Sequence, residues 1–159
     1  MAFYRTLKFL NYYFFSRHGR GHGIHSPFVF DLISRVFRNK TDPDIVLKIE
    51  NIRKKHLSDK TLIEVLDLGS GSKANKCALR SISEIAKYSA VPMKYGILLS
   101  NLAREFGNPG IIEFGTSLGI SAMYLASGSP GSPVFTMEGC PSLSAIASFN
   151  FREEGFDSI

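Results

Sequence analysis

The chain has 159 residues, 44% of them hydrophobic and 21% charged, with a formal net charge of +5. That length allows one domain with a real core, and the composition is that of an ordinary soluble globular protein. No apolar run reaches the roughly 20 residues that span a bilayer, and the aromatic N-terminus is broken by Arg5 and Lys8 with no small-residue cleavage site behind it, so neither a membrane span nor a secretory leader is read and the expected compartment is the cytoplasm.

The charge is unevenly spread. Residues 1–60 carry 12 Lys/Arg against 5 Asp/Glu, and residues 61–159 carry 7 against 9. A basic N-terminal third suits an anionic partner. No aromatic–basic recognition motif accompanies it, so a solvated face is the reading and nucleic acid is not the expected partner. Cys77 and Cys140 fit no metal or redox spacing; they read as reduced, buried thiols, and no metal site is assigned.

In chain order, residues 3–15 read as a short aromatic helix. Arg17 to Gly23 holds three glycines and reads as a loop; its histidines His18 and His22, with His25, read as solvated. His25-Ser26-Pro27 starts a helix with Ser26 as cap, and Phe28, Leu32, Val36 and Phe37 recur at helical spacing as its buried stripe. Asp42-Pro43-Asp44 starts the next, with Ile45, Ile49 and Ile52 as its apolar face and Arg53-Lys54-Lys55 near its end. Thr61 to Leu68 reads as extended, Gly69 to Ser72 as a turn and Ile82 to Tyr88 as a helix. Pro92 opens a firmer helix with Tyr95, Leu98, Leu99, Leu102 and Phe106 on one side and Gly107 as its stop.

After Asn108-Pro109-Gly110 the pattern changes. Ile111 to Phe114 is a short strand, Gly115 to Gly119 a turn, and Ile120 to Ser127 a helix. Val134 to Glu138 is a second strand and Pro141 to about Phe151 a second helix, with a third strand expected to begin at Ser158-Ile159. Strand–helix–strand–helix at these lengths indicates a parallel α/β sheet. The expected organisation is a mainly helical region over 1–88 with one extended segment, then the first half of a parallel-sheet domain over 89–159.

Two glycine-rich turns compete for the chemistry: Leu66-Asp67-Leu68-Gly69-Ser70-Gly71-Ser72 and Glu113-Phe114-Gly115-Thr116-Ser117-Leu118-Gly119. A nucleotide site on a parallel sheet needs a glycine at the first strand's end, a helix N-terminus behind it, and an acid ending the next strand about 20 residues on. Only the second turn has all three. Ile120 opens a good helix, and Val134-Phe135-Thr136-Met137-Glu138 ends in an acid 19 positions after Gly119. The spacing of Gly115 and Gly119 does not match the G-x-G-x-x-G of nicotinamide sites.

With these residues in view, the stretch from about Ser89 to Ile159 resembles the class I S-adenosylmethionine (SAM)-dependent methyltransferases, in particular the catechol- and caffeoyl-type O-methyltransferase branch. The likeness runs through the Pro92–Phe106 lead-in helix, the E-x-G-x-x-x-G turn and Thr136-Met137-Glu138. Gly23-Ile24-His25-Ser26-Pro27-Phe28-Val29-Phe30 is similar to a bacterial subgroup in which an Asp-x-Gly-x-Gly-Ser segment also precedes the true SAM motif. The resemblance implies a Rossmann-like methyltransferase domain with SAM as cofactor and an oxygen of a small molecule as methyl acceptor. It implies cofactor contacts from Glu113, Gly115, Thr116, Ser117, Gly119, Ser121, Glu138, Gly139 and Tyr95: Glu113 orienting the turn, Ser121 meeting the methionine carboxylate, Glu138 taking the ribose hydroxyls and Gly139 lying beside the adenine. In that branch the magnesium ligands and catalytic base follow the fourth strand, a region that the resemblance implies these 159 residues lack, so no catalytic residue is assigned. The alternative is a partner-dependent or inactive fragment that keeps part of the SAM site, with an open sheet edge that invites homodimer formation.

Overall fold

Small capping side chains beside prolines set the first helices. Ser26 caps α1 (Pro27–Asp31) through its hydroxyl, which accepts from the Val29 N–H at 3.4 Å, and Pro27 takes the first helical position. The structure, a computed structural model, describes Tyr4, Leu7, Lys8, Leu10, Asn11, residues 26–66 and residues 77–159. The expected 3–15 helix falls largely outside those residues, and the Arg17–Gly23 loop, His18, His22, His25 and the Gly69–Ser72 turn fall wholly outside them.

By contact the chain divides into two compact units, 1–39 and 40–159. In the first, α1 widens at Leu32–Phe37 into a π-helical turn. A π-turn holds more residues per turn than an α-helix, which rotates later side chains off the expected line. Val36 is fully buried, whereas Phe28 and Phe37 are exposed, so the expected four-residue buried stripe does not form.

The second unit begins with α2 (Pro43–Ser58), where the Asp42 carboxylate accepts from the Asp44 N–H at 2.9 Å. Ile49 and Ile52 are buried, and Ile45 packs beside them, as their spacing predicts. β1 (Leu62–Leu66) then pairs antiparallel with β2 (Cys77–Ser81), Leu62 opposite Ser81 and Leu66 opposite Cys77. The second strand of this hairpin is a departure from the expected single extended segment. Ser81 passes directly into α3 (Ile82–Tyr88), its hydroxyl accepting from the Glu84 N–H at 3.2 Å.

The lead-in helix α4 (Met93–Phe106) ends at Gly107 as expected, but its most deeply buried positions are small or polar residues and not the expected bulky ones. Gly96, Ser100, Asn101 and Ala103 are buried, while Tyr95 and Phe106 stay about half exposed. The reason lies in α5 (Ile120–Gly128), which packs so closely that a Cβ on Gly96 would overlap the Tyr124 ring and one on Gly128 would overlap the Ser100 carbonyl. Small residues permit that approach; of the larger ones, Leu99 packs against the core and Leu98 and Leu102 are partly buried, while Tyr95 and Phe106 stand outside it.

A cis Asn108–Pro109 peptide precedes β3 (Ile111–Phe114). α5 carries the chain across to β4 (Val134–Met137), which pairs parallel to β3 with Ile111 opposite Val134 and Glu113 opposite Thr136. α6 (Pro141–Glu153) follows, and beyond it the Ser158 carbonyl accepts from the Val134 N–H at 2.8 Å. The described residues from Pro27 onward are therefore mixed α/β, with six α-helices, an antiparallel sheet and a parallel one. No helix among them is long and apolar enough to cross a membrane.

Two apolar clusters hold the second unit together. Ile49, Ile52, Ile120, Met123, Tyr124 and Phe151 form one; Val65, Ile82, Ile85, Leu118, Cys140 and Leu143 form the other. Leu118 and Ile120, two positions apart, belong to different clusters, so the turn after β3 is anchored on both sides.

Candidate functional site

The parallel pairing of β3 and β4 brings the ends of both strands to one place, and the turn after β3 is folded there. Gly115 and Thr116 donate backbone N–H groups to the Met137 carbonyl at 2.8 and 3.2 Å, and the Gly119 N–H closes the turn on the Thr116 carbonyl at 2.9 Å. Three residues of this turn have positive φ: Gly115 at 92°, Ser117 at 49° and Gly119 at 84°. Glycine adopts that region freely, whereas serine needs support there.

Glu138 supplies the support. One of its carboxylate oxygens accepts from the Ser117 N–H at 2.7 Å and the other from the Cys140 N–H at 2.9 Å. A single side chain thus ties the strained residue of the turn to the start of α6. Each carboxylate oxygen keeps a further lone pair for another donor.

A second link runs from turn to strand. The Thr136 hydroxyl lies 2.7 Å from a Glu113 carboxylate oxygen and 2.6 Å from the Thr116 hydroxyl. A carboxylate only accepts, so Thr136 donates to Glu113 and takes its own hydrogen bond from Thr116. Glu113 and Thr136 are direct partners in the parallel register, which places them within reach. Hydrogen bonds of this kind to a charged acceptor are the stronger ones.

No family model, curated protein or solved structure matches this chain.

Of the residues expected at the site, Glu113, Thr116, Ser117 and Glu138 are joined by these hydrogen bonds, and Gly115 and Gly119 shape the backbone between them. Gly139 is exposed next to Glu138, and Ser121 is half-buried in the first turn of α5. Tyr95 stands on α4, about half exposed, with the Lys94 ammonium 5.7 Å from its ring centroid, outside the Glu113–Glu138 network.

Two features suit this turn to a ligand. A Cβ on Gly115 would meet nothing within 4 Å, so the backbone there is open to close approach. The Ser117 hydroxyl oxygen is buried without a hydrogen-bond partner, and a buried polar atom of that kind needs one. Glycine at 119 has a separate reason. Besides its positive φ, it faces the Phe151 ring too closely for a side chain.

Sequence reading missed three contributors. Thr136 becomes visible only once β3 and β4 are placed in register. Cys140 is buried, and its sulfur accepts from the Leu66 N–H at 3.3 Å, joining β1 to the start of α6. Asn150 donates from Nδ2 to the Leu118 carbonyl at 3.2 Å and to His56 Nε2 at 2.9 Å, which buttresses the turn from behind. His56 is the one histidine outside the N-terminal segment. Burial is the main force lowering its pKa; the neighbouring Asp59 opposes that shift and Lys55 adds to it.

Proposed function

We propose that residues 89–159 form the cofactor-binding half of a Rossmann-like, class I SAM-dependent methyltransferase acting on an oxygen of a small molecule. The observation that carries this reading is Glu138. It directly follows the second parallel strand, reaches back to the turn after the first, and holds the Ser117 N–H at 2.7 Å. An acid at that position is the group that receives ribose hydroxyls in parallel-sheet nucleotide sites. The bond from Val134 N–H to Ser158 O adds support, because it starts a neighbour on the outer edge of β4 in the place a third parallel strand would take.

The residues fit the cofactor. The unobstructed flank of Gly115 would admit its methionine portion close to the backbone. Ser117 Oγ and the free N–H groups of the first turn of α5 offer donors to a carboxylate. Glu138 would hold the ribose with the lone pairs its two backbone bonds leave over. Glu113, kept in place by Thr136, would face the amino group. When bound, the cofactor supplies a methyl group already activated by the sulfonium charge. The task left to the protein is alignment and exclusion of water.

The test is titration of SAM into the ¹⁵N-labelled chain. Saturable shifts at Gly115 to Gly119 and at Gly139 are expected, with affinity at least about tenfold weaker in Glu138→Gln. Absence of any shift up to about 1 mM SAM, or shifts that leave the turn untouched, would sink the site assignment. A second reading, in which the chain is an inactive or partner-dependent fragment that keeps part of the SAM site, draws on the exposed apolar side chains of the β3–β4 sheet, Ile112, Phe114, Phe135 and Met137. Saturable binding with no methyl transfer to catechol-type acceptors would favour it.

A further inference from the structure

The two compact units differ in charge. Residues 1–39 hold six cations (Arg5, Lys8, Arg17, Arg20, Arg35 and Arg38) against one acid, Asp31, a net of +5. Residues 40–159 hold 13 of each sign and are neutral. Aromatic residues are skewed the same way, since ten of the 19 Phe and Tyr fall in the first 39 positions. Side chains of both kinds meet water there. Tyr4, Leu7 and Leu10 are 63, 51 and 43% exposed, and Phe28, Phe30 and Phe37 are 64, 46 and 57% exposed. Among the described residues of this unit only Val36 is buried. The Lys8 ammonium stands 5.2 Å from the Tyr4 ring centroid, so cation and ring share one side of their helical turn. Apolar side chains scattered singly on a surface need no explanation, but a set of them marks a contact.

We propose that residues 1–39 bind the surface of an anionic lipid bilayer, with aromatic and aliphatic side chains at the headgroup–acyl boundary and the basic ones on lipid phosphates. Three properties favour that partner. First, six cations with one acid rule out a protein interior as the cover, because buried charge needs opposite charge beside it; a layer of lipid phosphates supplies it. Second, tyrosine and phenylalanine suit the interface, where a ring is half apolar and half wet. Third, Leu7, Leu10 and Val29 are aliphatic. A nucleic acid offers bases for rings to stack on but little for aliphatic side chains, whereas the acyl boundary takes both. Arg5 and Lys8 break the apolar sequence every few residues, which suits a segment lying in the interface plane rather than crossing it. The charge division is set by residues 1–39 themselves, so the contact rests neither on the methyltransferase reading nor on what covers the β3–β4 sheet.

Vesicle flotation of the 159-residue chain tests it. Phosphatidylcholine vesicles with about one-third phosphatidylglycerol should carry the chain upward, with partition at least about tenfold weaker on phosphatidylcholine alone and lost near about 1 M salt. At roughly fivefold per cation, Arg5→Gln with Lys8→Gln should weaken partition about 25-fold. The control pair Lys54→Gln with Lys87→Gln, in the neutral unit, should stay within about twofold of wild type. All four are exposed or lie outside the core, so far-UV spectra should not change. The chain has no tryptophan, so Leu10→Trp adds a single reporter whose emission should move to shorter wavelength on the anionic vesicles. The proposal is overturned by failure to float, by equal partition on both vesicle types, by a control pair that weakens binding as much as the first, by Trp emission that does not move, or by a short RNA that binds more tightly than the vesicles.

Discussion

Asn150 faces His56 with its amide nitrogen, 2.9 Å from Nε2. The same nitrogen lies 3.2 Å from the Leu118 carbonyl, which can only accept, so the amide cannot be turned the other way without losing that bond. His56 Nε2 must therefore accept, and the ring proton sits on Nδ1. An imidazolium would point a second N–H at the amide. On α6, Asn150's neighbours in the cavity beside His56 are Ala145, Ile146 and Phe149, and α3 contributes Ile82; the charged groups there are Lys55 and Asp59.

A pH dependence follows. Folding lowers the His56 pKa from 6.5, chiefly by burial. Below 6.5 the unfolded chain binds a proton that the folded chain refuses, so stability is complete above the unfolded pKa and declines as pH falls from there toward the folded pKa. Thermal melts should show the midpoint dropping as pH is lowered from about 7.5 to about 5.5, and His56→Gln, which keeps an acceptor but no titration, should flatten that slope. Equal slopes in both proteins would remove His56 as the cause.

The seam between α4 and α5 gives a contrast between two glycines. A Cβ on Gly96 would overlap the Tyr124 ring, which is fully buried and cannot move aside. Gly96→Ala should cost about 3 kcal/mol, the upper part of the usual range for overpacking. Gly131 has nothing within 4 Å of its Cβ position, and Gly131→Ala should stay within about 0.5 kcal/mol of wild type. Denaturant melts of the two variants decide the matter; equal stabilities would mean the seam relaxes.

Tyr124 also carries a buried polar bond. Its hydroxyl donates to a Glu50 carboxylate oxygen at 3.1 Å, and the Arg53 guanidinium lies 3.6 Å from the other oxygen. Burial first, then the Glu50 charge and its hydrogen bond, raise the phenol's pKa, so it stays protonated and donating. Tyr124→Phe should lose about 2 kcal/mol, as befits a bond to a charged acceptor. In a Glu50→Gln background the same change should cost less. An identical loss in both backgrounds would assign the effect to packing.

Legibility in the sequence followed local signals. The Asp42 cap and the spacing of Ile45, Ile49 and Ile52 announce α2, and the Glu113-to-Glu138 stretch announces a strand, turn, helix and strand in order, because each carries its own period or breaker. β2 has no such signal. Cys77-Ala78-Leu79-Arg80-Ser81 holds no β-branched or aromatic residue, and pairing with β1 makes it a strand. The buried side of α4 was equally hidden, since Gly96 and Ser100 count as weak core residues until Tyr124 and Gly128 are set against them. At the site, the residue types around the turn were readable. The hydrogen-bond order from Thr116 through Thr136 to Glu113 was not, because it depends on register between strands 20 residues apart.

The same seam bears on how relatives of this chain would be read. Any descendant that keeps α4 on α5 must keep Gly96 and Gly128, because one added carbon at either position collides with a partner that has no room to yield. Those two glycines would then persist across lineages as stubbornly as Gly115 and Gly119. An observer ranking positions by invariance would find four glycines and have no means, from invariance alone, of telling which two shape the turn beside β3 and which two let a pair of helices touch.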